Sequence, residues 1–263
     1  MIDAHVRRFG HGPRAAHFIH CNLSSGRAWD PLIPFVDDAV AATAVDLLGQ
    51  GRSPMPDRDL DYQMQCAQAS IAVMEQAGPQ DLVGHSFGAT VALRVANLRP
   101  DLVRSMVLFE PIMFCLLKDV AHPQWDALIE MERPFHDAQK QGDQLRAAEL
   151  FISKWGMPGS WQKMPPDMRQ GLADKMWLIE IQAGAVLEDN DWRLTLNDIA
   201  QMKMPTLLMA GGDSPPTMEA TARVIGDHMP NAQVDVLAGS GHMLPLTHSK
   251  DVAEAMARFW ATA

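Results

Sequence analysis

The chain has 263 residues, 47% of them hydrophobic, and a formal net charge of −10: enough apolar material for one large α/β domain with an excursion, too little length for two comfortable domains. No window gathers lysine and arginine into a stripe, which excludes an electrostatic footprint for nucleic acid or an anionic membrane and leaves a small molecule as the expected partner. Cys21, Cys66 and Cys115 are an odd set without paired spacing, no apolar run approaches the roughly 20 residues of a membrane span, and Met1-Ile2-Asp3-Ala4-His5 lacks the apolar core of a secretion signal, so a cytoplasmic protein without stable membrane insertion is expected.

In chain order, Val6 to Phe9 and Ala15 to Cys21 read as strands, the second ending in the loop His20-Cys21-Asn22-Leu23-Ser24-Ser25-Gly26 before a helix near Ala28-Trp29. Thr43 to Leu48 is a buried strand, and Gly49-Gln50-Gly51-Arg52-Ser53-Pro54 is a turn-rich connection. Leu60 to Gln76 carries Met64, Ile71 and Met74 at helical spacing, and Gly78-Pro79 stops it. Asp81-Leu82-Val83 then leads into Gly84-His85-Ser86-Phe87-Gly88, with a helix over Ala89 to Leu98. Strand, tight turn and helix are the context of a nucleophile elbow, which lifts a serine hydroxyl out of the sheet and leaves the Phe87 backbone N–H at a helix N-terminus. The glycines on either side leave room for the crossing chain.

Val103 to Phe109, Pro205 to Ala210 and Ala232 to Leu237 are further strands, with helices over Met218 to His228 and Lys250 to Trp260. The strand-helix alternation predicts a mostly parallel sheet covered on both faces. One segment breaks it. Residues 112–200 carry helical patterns, prolines at Pro134, Pro158, Pro165 and Pro166, and five of the seven tryptophans (Trp125, Trp155, Trp161, Trp177, Trp192). They read as a helical cap between two parts of a core, 1–111 and 201–263. A lid over a pocket would use the aromatic surplus, although docking onto the main body accounts for any single tryptophan more simply. An apolar lid helix also suits a second subunit, so a homodimer stays compatible with the pattern.

A serine hydroxyl needs a base to activate it and a carboxylate to orient that base. Asp213 follows Pro205 to Ala210 across Gly211-Gly212, at the carboxyl end of a strand, where ligands of open α/β sheets collect. His242 lies in Gly239-Ser240-Gly241-His242, just past the last strand. Ser86, Asp213 and His242 therefore stand in nucleophile, acid, base order. Glu110 competes for the acid role, because Phe109-Glu110-Pro111 also ends a strand near the elbow. His85 and His20 read as structural, His20 bracing its loop; His248 reads as a helix cap, and Ser53 and Ser240 as turn residues.

Together with the Asp46-Leu47-Leu48-Gly49-Gln50-Gly51-Arg52-Ser53 turn, the Gly211-Gly212-Asp213 corner and the Gly241-His242 loop, the elbow resembles the α/β-hydrolase superfamily, its capped serine esterase-like members above all. The resemblance implies an α/β-hydrolase fold with the helical cap inserted before the acid-bearing strand. It also implies a Ser86/Asp213/His242 triad and an oxyanion hole made by the backbone N–H groups of Phe87 and Asn22. The chain departs from the family at Cys21, where a glycine usually follows the histidine; a side chain there would reroute the loop if that glycine's conformation were one closed to other residues. Cys21, Trp155 and Trp177 are assigned to substrate contact.

Ser86 takes the place of the carboxylate nucleophile of dehalogenases and epoxide hydrolases of this fold, and the only tyrosine, Tyr62, lies outside the insertion, which disfavours epoxide opening. The expected activity is hydrolysis of a carboxylic ester or thioester of a small to medium, mostly apolar compound, with no cofactor and no metal. Two alternatives remain in view. One is carbon–carbon bond hydrolysis or a lyase reaction by the same triad, with Arg133, Arg169 or Lys175 gripping a substrate carboxylate. The other is a ligand sensor that retains the triad.

Overall fold

The uniformly apolar runs of the sequence become the middle of one sheet, because a strand covered on both faces has no polar side to present. The computed structural model describes residues 4–187 and 192–263; the first three residues of the N-terminal reading and residues 188–191 of the predicted insertion lie outside the described residues. Seven strands, β1 (Val6–Phe9), β2 (Arg14–Ile19), β3 (Val40–Val45), β4 (Gln80–His85), β5 (Val103–Phe109), β6 (Thr206–Gly211) and β7 (Ala232–Leu237), lie in the order β1-β3-β2-β4-β5-β6-β7. β1 runs antiparallel to β3 and every other pairing is parallel. β4 and β6 are buried along their whole length, whereas β7 alternates as an edge strand does.

Helices cover both faces. They are α1 (Ile33–Val36), α2 (Tyr62–Met74), α3 (Phe87–Leu98), α4 (Cys115–Asp119), α5 (Gln124–Lys140), α6 (Gln144–Trp155), α7 (Ser160–Lys163), α8 (Pro166–Ala173), α9 (Trp177–Ile181), α10 (Ala183–Val186), α11 (Leu196–Gln201), α12 (Pro216–His228), α13 (Leu244–Thr247) and α14 (Ser249–Trp260). Alternate strand residues sort to opposite layers. Ile19, Leu82, Met106, Leu108 and Leu208 pack with residues of α2, α3 and α12. Phe18, Val83, Val107, Phe109, Leu207 and Met209 pack with Trp29, Leu32 and the α14 residues Val252, Met256, Phe259 and Trp260.

Between β5 and β6 the chain is helical, α4 to α11, and part of it has a core of its own around Phe135, Ala147, Ala148, Trp161 and Met176. Pro134 does not break it: the proline sits inside α5. A proline there withdraws one helical N–H, and close by Lys154 Nζ donates to the Met131 carbonyl at 2.6 Å.

Register places the working end of the sheet. His85 pairs with Phe109 and Phe109 with Met209, so β4 and β5 finish level and β6 runs two residues further, to Gly211. The next residues hold the step: Ser86 N–H donates to the Phe109 carbonyl at 2.8 Å and Glu110 N–H to the Met209 carbonyl at 2.9 Å.

Candidate active site

Ser86 joins β4 to α3 at φ 57° and ψ −119°, a backbone conformation costly for a residue with a side chain. The flanking glycines show what forces it. A Cβ on Gly84 would lie 2.5 Å from the Ala89 Cα, and one on Gly88 would lie 2.2 Å from the Ile19 carbonyl oxygen and 2.4 Å from that of His20. Helix α3 thus runs against β4 on one side and against the end of β2 on the other. Phe87 opens the helix, and the first N–H groups of a helix have no partner within it.

The Ser86 hydroxyl donates to His242 Nε2 at 3.0 Å, and His242 Nδ1–H donates to Glu110 Oε2 at 2.6 Å. The other carboxylate oxygen, Glu110 Oε1, accepts the Gly211 N–H at 2.6 Å. All three side chains are buried. Since an ionised carboxylate only accepts, Nδ1 carries the proton and Nε2 is the free acceptor facing the serine.

This corrects the expectation for Asp213. Its strand, β6, does reach the site, but with a backbone N–H, that of Gly211. Asp213 lies two residues further on, exposed, its backbone N–H held by the Ser240 carbonyl at 2.8 Å and its carboxylate without a hydrogen bond among the described residues. The carboxylate on His242 is Glu110, at the end of β5, the competitor visible in Phe109-Glu110-Pro111.

Two other histidines hold the loops. His20 Nε2 accepts the Leu47 N–H at 3.0 Å, which leaves Nδ1–H to donate to the Cys21 carbonyl at 2.7 Å. Burial, opposed by that bond and by Asp46, pushes His20 down to about 4. His85 Nε2–H donates to the His242 carbonyl at 2.8 Å, and its ring lies 5.1 Å from the His242 ring. Burial, reinforced by His242, pushes His85 down to about 3. His20 braces its loop as expected; His85 is structural too, but what it supports is the loop of His242. Ser53 and Ser240 are turn residues, donating to the Asp46 and Leu237 carbonyls. His248 stands at the N-cap position just before α14, its ring bonded to the Thr247 hydroxyl and not to the helix.

A cavity of about 180 Å³ opens over Ser86 and His242. Its wall is mostly apolar, with Ile112, Phe114, Phe135, Phe151, Trp155, Ile179, Val186 and Leu187, interrupted by Asn22, Glu132, His136, Gln139, Glu180 and Gln182. Trp155 lines the cavity and stands edge-on to the His242 ring at 5.2 Å. Trp177 and Cys21 are corrected, because neither lines the cavity. Trp177 lies under the Arg58 guanidinium at 4.1 Å. Cys21 is buried in its loop, and burial pushes its thiol up to about 12. The positive φ in that loop falls at Leu23 (57°), not at Cys21, so the loop has no need of the usual glycine.

Asn22 lines the cavity beside Ser86. Among the described residues none of Arg133, Arg169 and Lys175 reaches it: Arg133 pairs with Glu130, Arg169 lies over Trp161 and Lys175 is exposed. Tyr62 donates to the Leu48 carbonyl at 2.8 Å and stacks on Phe87 at 5.2 Å. The cluster of potential metal ligands, His11, Asp37 and Asp38, is at the surface and outside the cavity wall. The polar wall residues of α5 went unread in the sequence, although Glu132, His136 and Gln139 at helical spacing between apolar Leu128, Phe135 and Ala138 were the signal.

An elbow serine, a histidine and a carboxylate in one hydrogen-bonded chain at the carboxyl end of a parallel sheet define a protein of the α/β-hydrolase kind. The profile of the Alpha/beta hydrolase family matches residues 18–255, and the chain belongs to that family. It is 38% identical over 112 residues to lipase LipV of Mycobacterium tuberculosis, a match covering 42% of this chain and 42% of that protein. It is 28% identical over 236 residues to 2-hydroxymuconate semialdehyde hydrolase of Pseudomonas putida, covering 84% and 76%. Among solved structures, MGS-M2, an α/β hydrolase from a Medee basin deep-sea metagenome library, superposes with a TM-score of 0.77 at 17% identity, over 100% of this chain and 95% of that one. No helix among the described residues is long and apolar enough to cross a membrane.

Proposed function

We propose that the protein is a serine hydrolase that cleaves a carboxylic ester or thioester of a small to medium, mostly apolar substrate, with the helical segment 112–200 as its cap. The carrying observation is the Ser86–His242–Glu110 chain, with 3.0 Å and 2.6 Å contacts, at the floor of a largely apolar cavity. In this reading the Ser86 oxygen attacks the carbonyl carbon while its proton passes to His242 Nε2, and Glu110 stabilises the imidazolium. The tetrahedral oxyanion is held by the backbone N–H groups of Phe87 and Asn22. His242 returns the proton to the leaving oxygen or sulfur, which departs and leaves acyl-Ser86. Water then attacks the acyl carbon, its proton goes to His242 and on to Ser86, and the carboxylic acid is released.

A lipase among the relatives supports the ester. The carbon–carbon alternative has support in the 2-hydroxymuconate semialdehyde hydrolase relative, but among the described residues no arginine or lysine lines the cavity to hold a substrate carboxylate, and the nearby Lys154 is engaged by Glu132 at 3.1 Å. The ester reading is tested with a panel of p-nitrophenyl esters and a fluorophosphonate probe. Turnover and an adduct on Ser86 are expected, with Ser86→Ala lowering kcat by about 10⁴-fold or more. No turnover of any ester and no adduct would refute it.

A further inference from the structure

The orientation of one amide in the cavity wall can be read from a chain of buried hydrogen bonds with a fixed origin. A backbone N–H only donates, so the atom of Gln50 that receives Ser24 N–H at 3.2 Å is its oxygen, Oε1. Gln50 Nε2 therefore faces Asn22 at 3.1 Å and the Tyr62 hydroxyl at 3.0 Å, and that hydroxyl is free to accept because it donates to the Leu48 carbonyl. The Asn22 atom toward Gln50 is then Oδ1, and Nδ2 is left to donate to Gln182 Oε1. Each step fixes one amide orientation from the hydrogen bonds around it. At the end of the chain stands Gln182 Nε2.

Gln182 lies between α9 and α10, only 5% exposed, and lines the same cavity as Ser86 and His242. Among the described residues nothing accepts from its Nε2. Nε2 is not among the side-chain atoms sealed off without a partner, so it keeps access to the cavity space where a ligand oxygen can reach it, and it sits in the wall beside Asn22, the residue whose backbone is assigned to the oxyanion hole. We infer that Gln182 is a specificity-determining residue that donates a hydrogen bond from Nε2 to an acceptor oxygen carried on the acyl chain next to the reacting carbonyl. The class favoured is therefore alkoxy- or oxo-substituted acyl esters over plain alkyl ones. This rests on the serine hydrolase reading.

The test uses two esters of nearly the same shape, p-nitrophenyl methoxyacetate and p-nitrophenyl butyrate, with their hydroxide-catalysed rates as the reference for intrinsic reactivity. The wild type is expected to favour methoxyacetate in kcat/KM by about 5-fold or more beyond the hydroxide ratio, the size of one neutral hydrogen bond. Gln182→Met removes the donor with little change of shape. Gln182→Glu, assayed at pH 8, keeps an acceptor for Asn22 Nδ2 while replacing the donor by oxygen, and carries the test should the methionine variant not fold. Both are expected to bring the preference down to the hydroxide ratio. A role confined to positioning Asn22 would lower both esters together and leave the ratio where it was, which overturns the inference. So does a wild type that labels at Ser86 but shows no preference for methoxyacetate, or turns over neither ester. A wild type without a fluorophosphonate adduct at Ser86 sinks the hydrolase reading instead.

Discussion

Glu110 has a φ of 46° and Ser86 one of 57°, and both stand immediately beyond strands that end level. Two side chains in a backbone region that disfavours them, bridged by one imidazole, are the kind of strain that persists only where the surroundings over-determine it. Removing the charge of Glu110 while keeping its shape leaves His242 without the acceptor that fixes its tautomer. Glu110→Gln is therefore expected to lower kcat on a p-nitrophenyl ester by about 10³-fold or more, whereas Asp213→Asn stays within about 2-fold; steady-state kinetics on the two variants side by side decide it. The reverse pattern would return the acid role to Asp213. Sequence order could not separate the two carboxylates, because both stand just beyond the carboxyl end of an apolar strand. What separates them is that the Gly211 N–H turns toward Glu110 while Asp213 turns to solvent, and neither direction is written in the local pattern.

Strand β4 shows how one element divides its labour. Its carboxyl end delivers Ser86. At its amino end Asp81, fully buried, accepts from Arg14 Nε at 2.7 Å, from Arg104 Nη2 at 2.6 Å and from the Ser105 hydroxyl at 2.8 Å. Burial alone would raise the Asp81 carboxyl, but the bonds from Arg104, Arg14 and Ser105 outweigh it and hold it below its ordinary value. Asp81→Asn leaves two guanidinium groups without their shared anion and is expected to cost about 3 kcal/mol in urea unfolding, with kcat of the folded enzyme unchanged. A large fall in kcat at wild-type stability would contradict the separation. The strands were legible because buried parallel strands are apolar from end to end, and the elbow because its glycines stand where backbones cross. The helical excursion was legible as a helical tract but not in its packing. Trp161 went to the excursion's own core, Trp177 under Arg58, and Trp155 alone of the five tryptophans lines the cavity among the described residues. Composition counted the aromatic rings; the packing of the segments that carry them decides which way each one faces.

For the molecule as a whole, three histidines set the response to acid. His17, His20 and His85 are fully buried, and burial pushes them to about 3, about 4 and about 3 from 6.5. In the unfolded chain they take up protons as pH falls through about 6.5, while the folded chain keeps them neutral. The unfolded state then binds more protons, so stability declines from about pH 6.5 toward 4, by about 1.4 kcal/mol per pH unit for each histidine. Asp81 adds a separate loss at lower pH, as its depressed carboxyl protonates. Urea unfolding at pH 7.5 and at pH 5 is expected to show a stability lower at pH 5 by up to about 6 kcal/mol; equal values would mean that these rings are not held neutral.

The central claim is that Ser86 carries the acyl group, and it is tested most directly by rapid acid quench of the reaction with a p-nitrophenyl ester followed by mass spectrometry of the Ser86 peptide. The expected result is a mass increase equal to the acyl group on Ser86 in the wild type, absent in Ser86→Ala together with turnover. Ester turnover that persists in Ser86→Ala, or an acyl group found on another residue, would contradict the account.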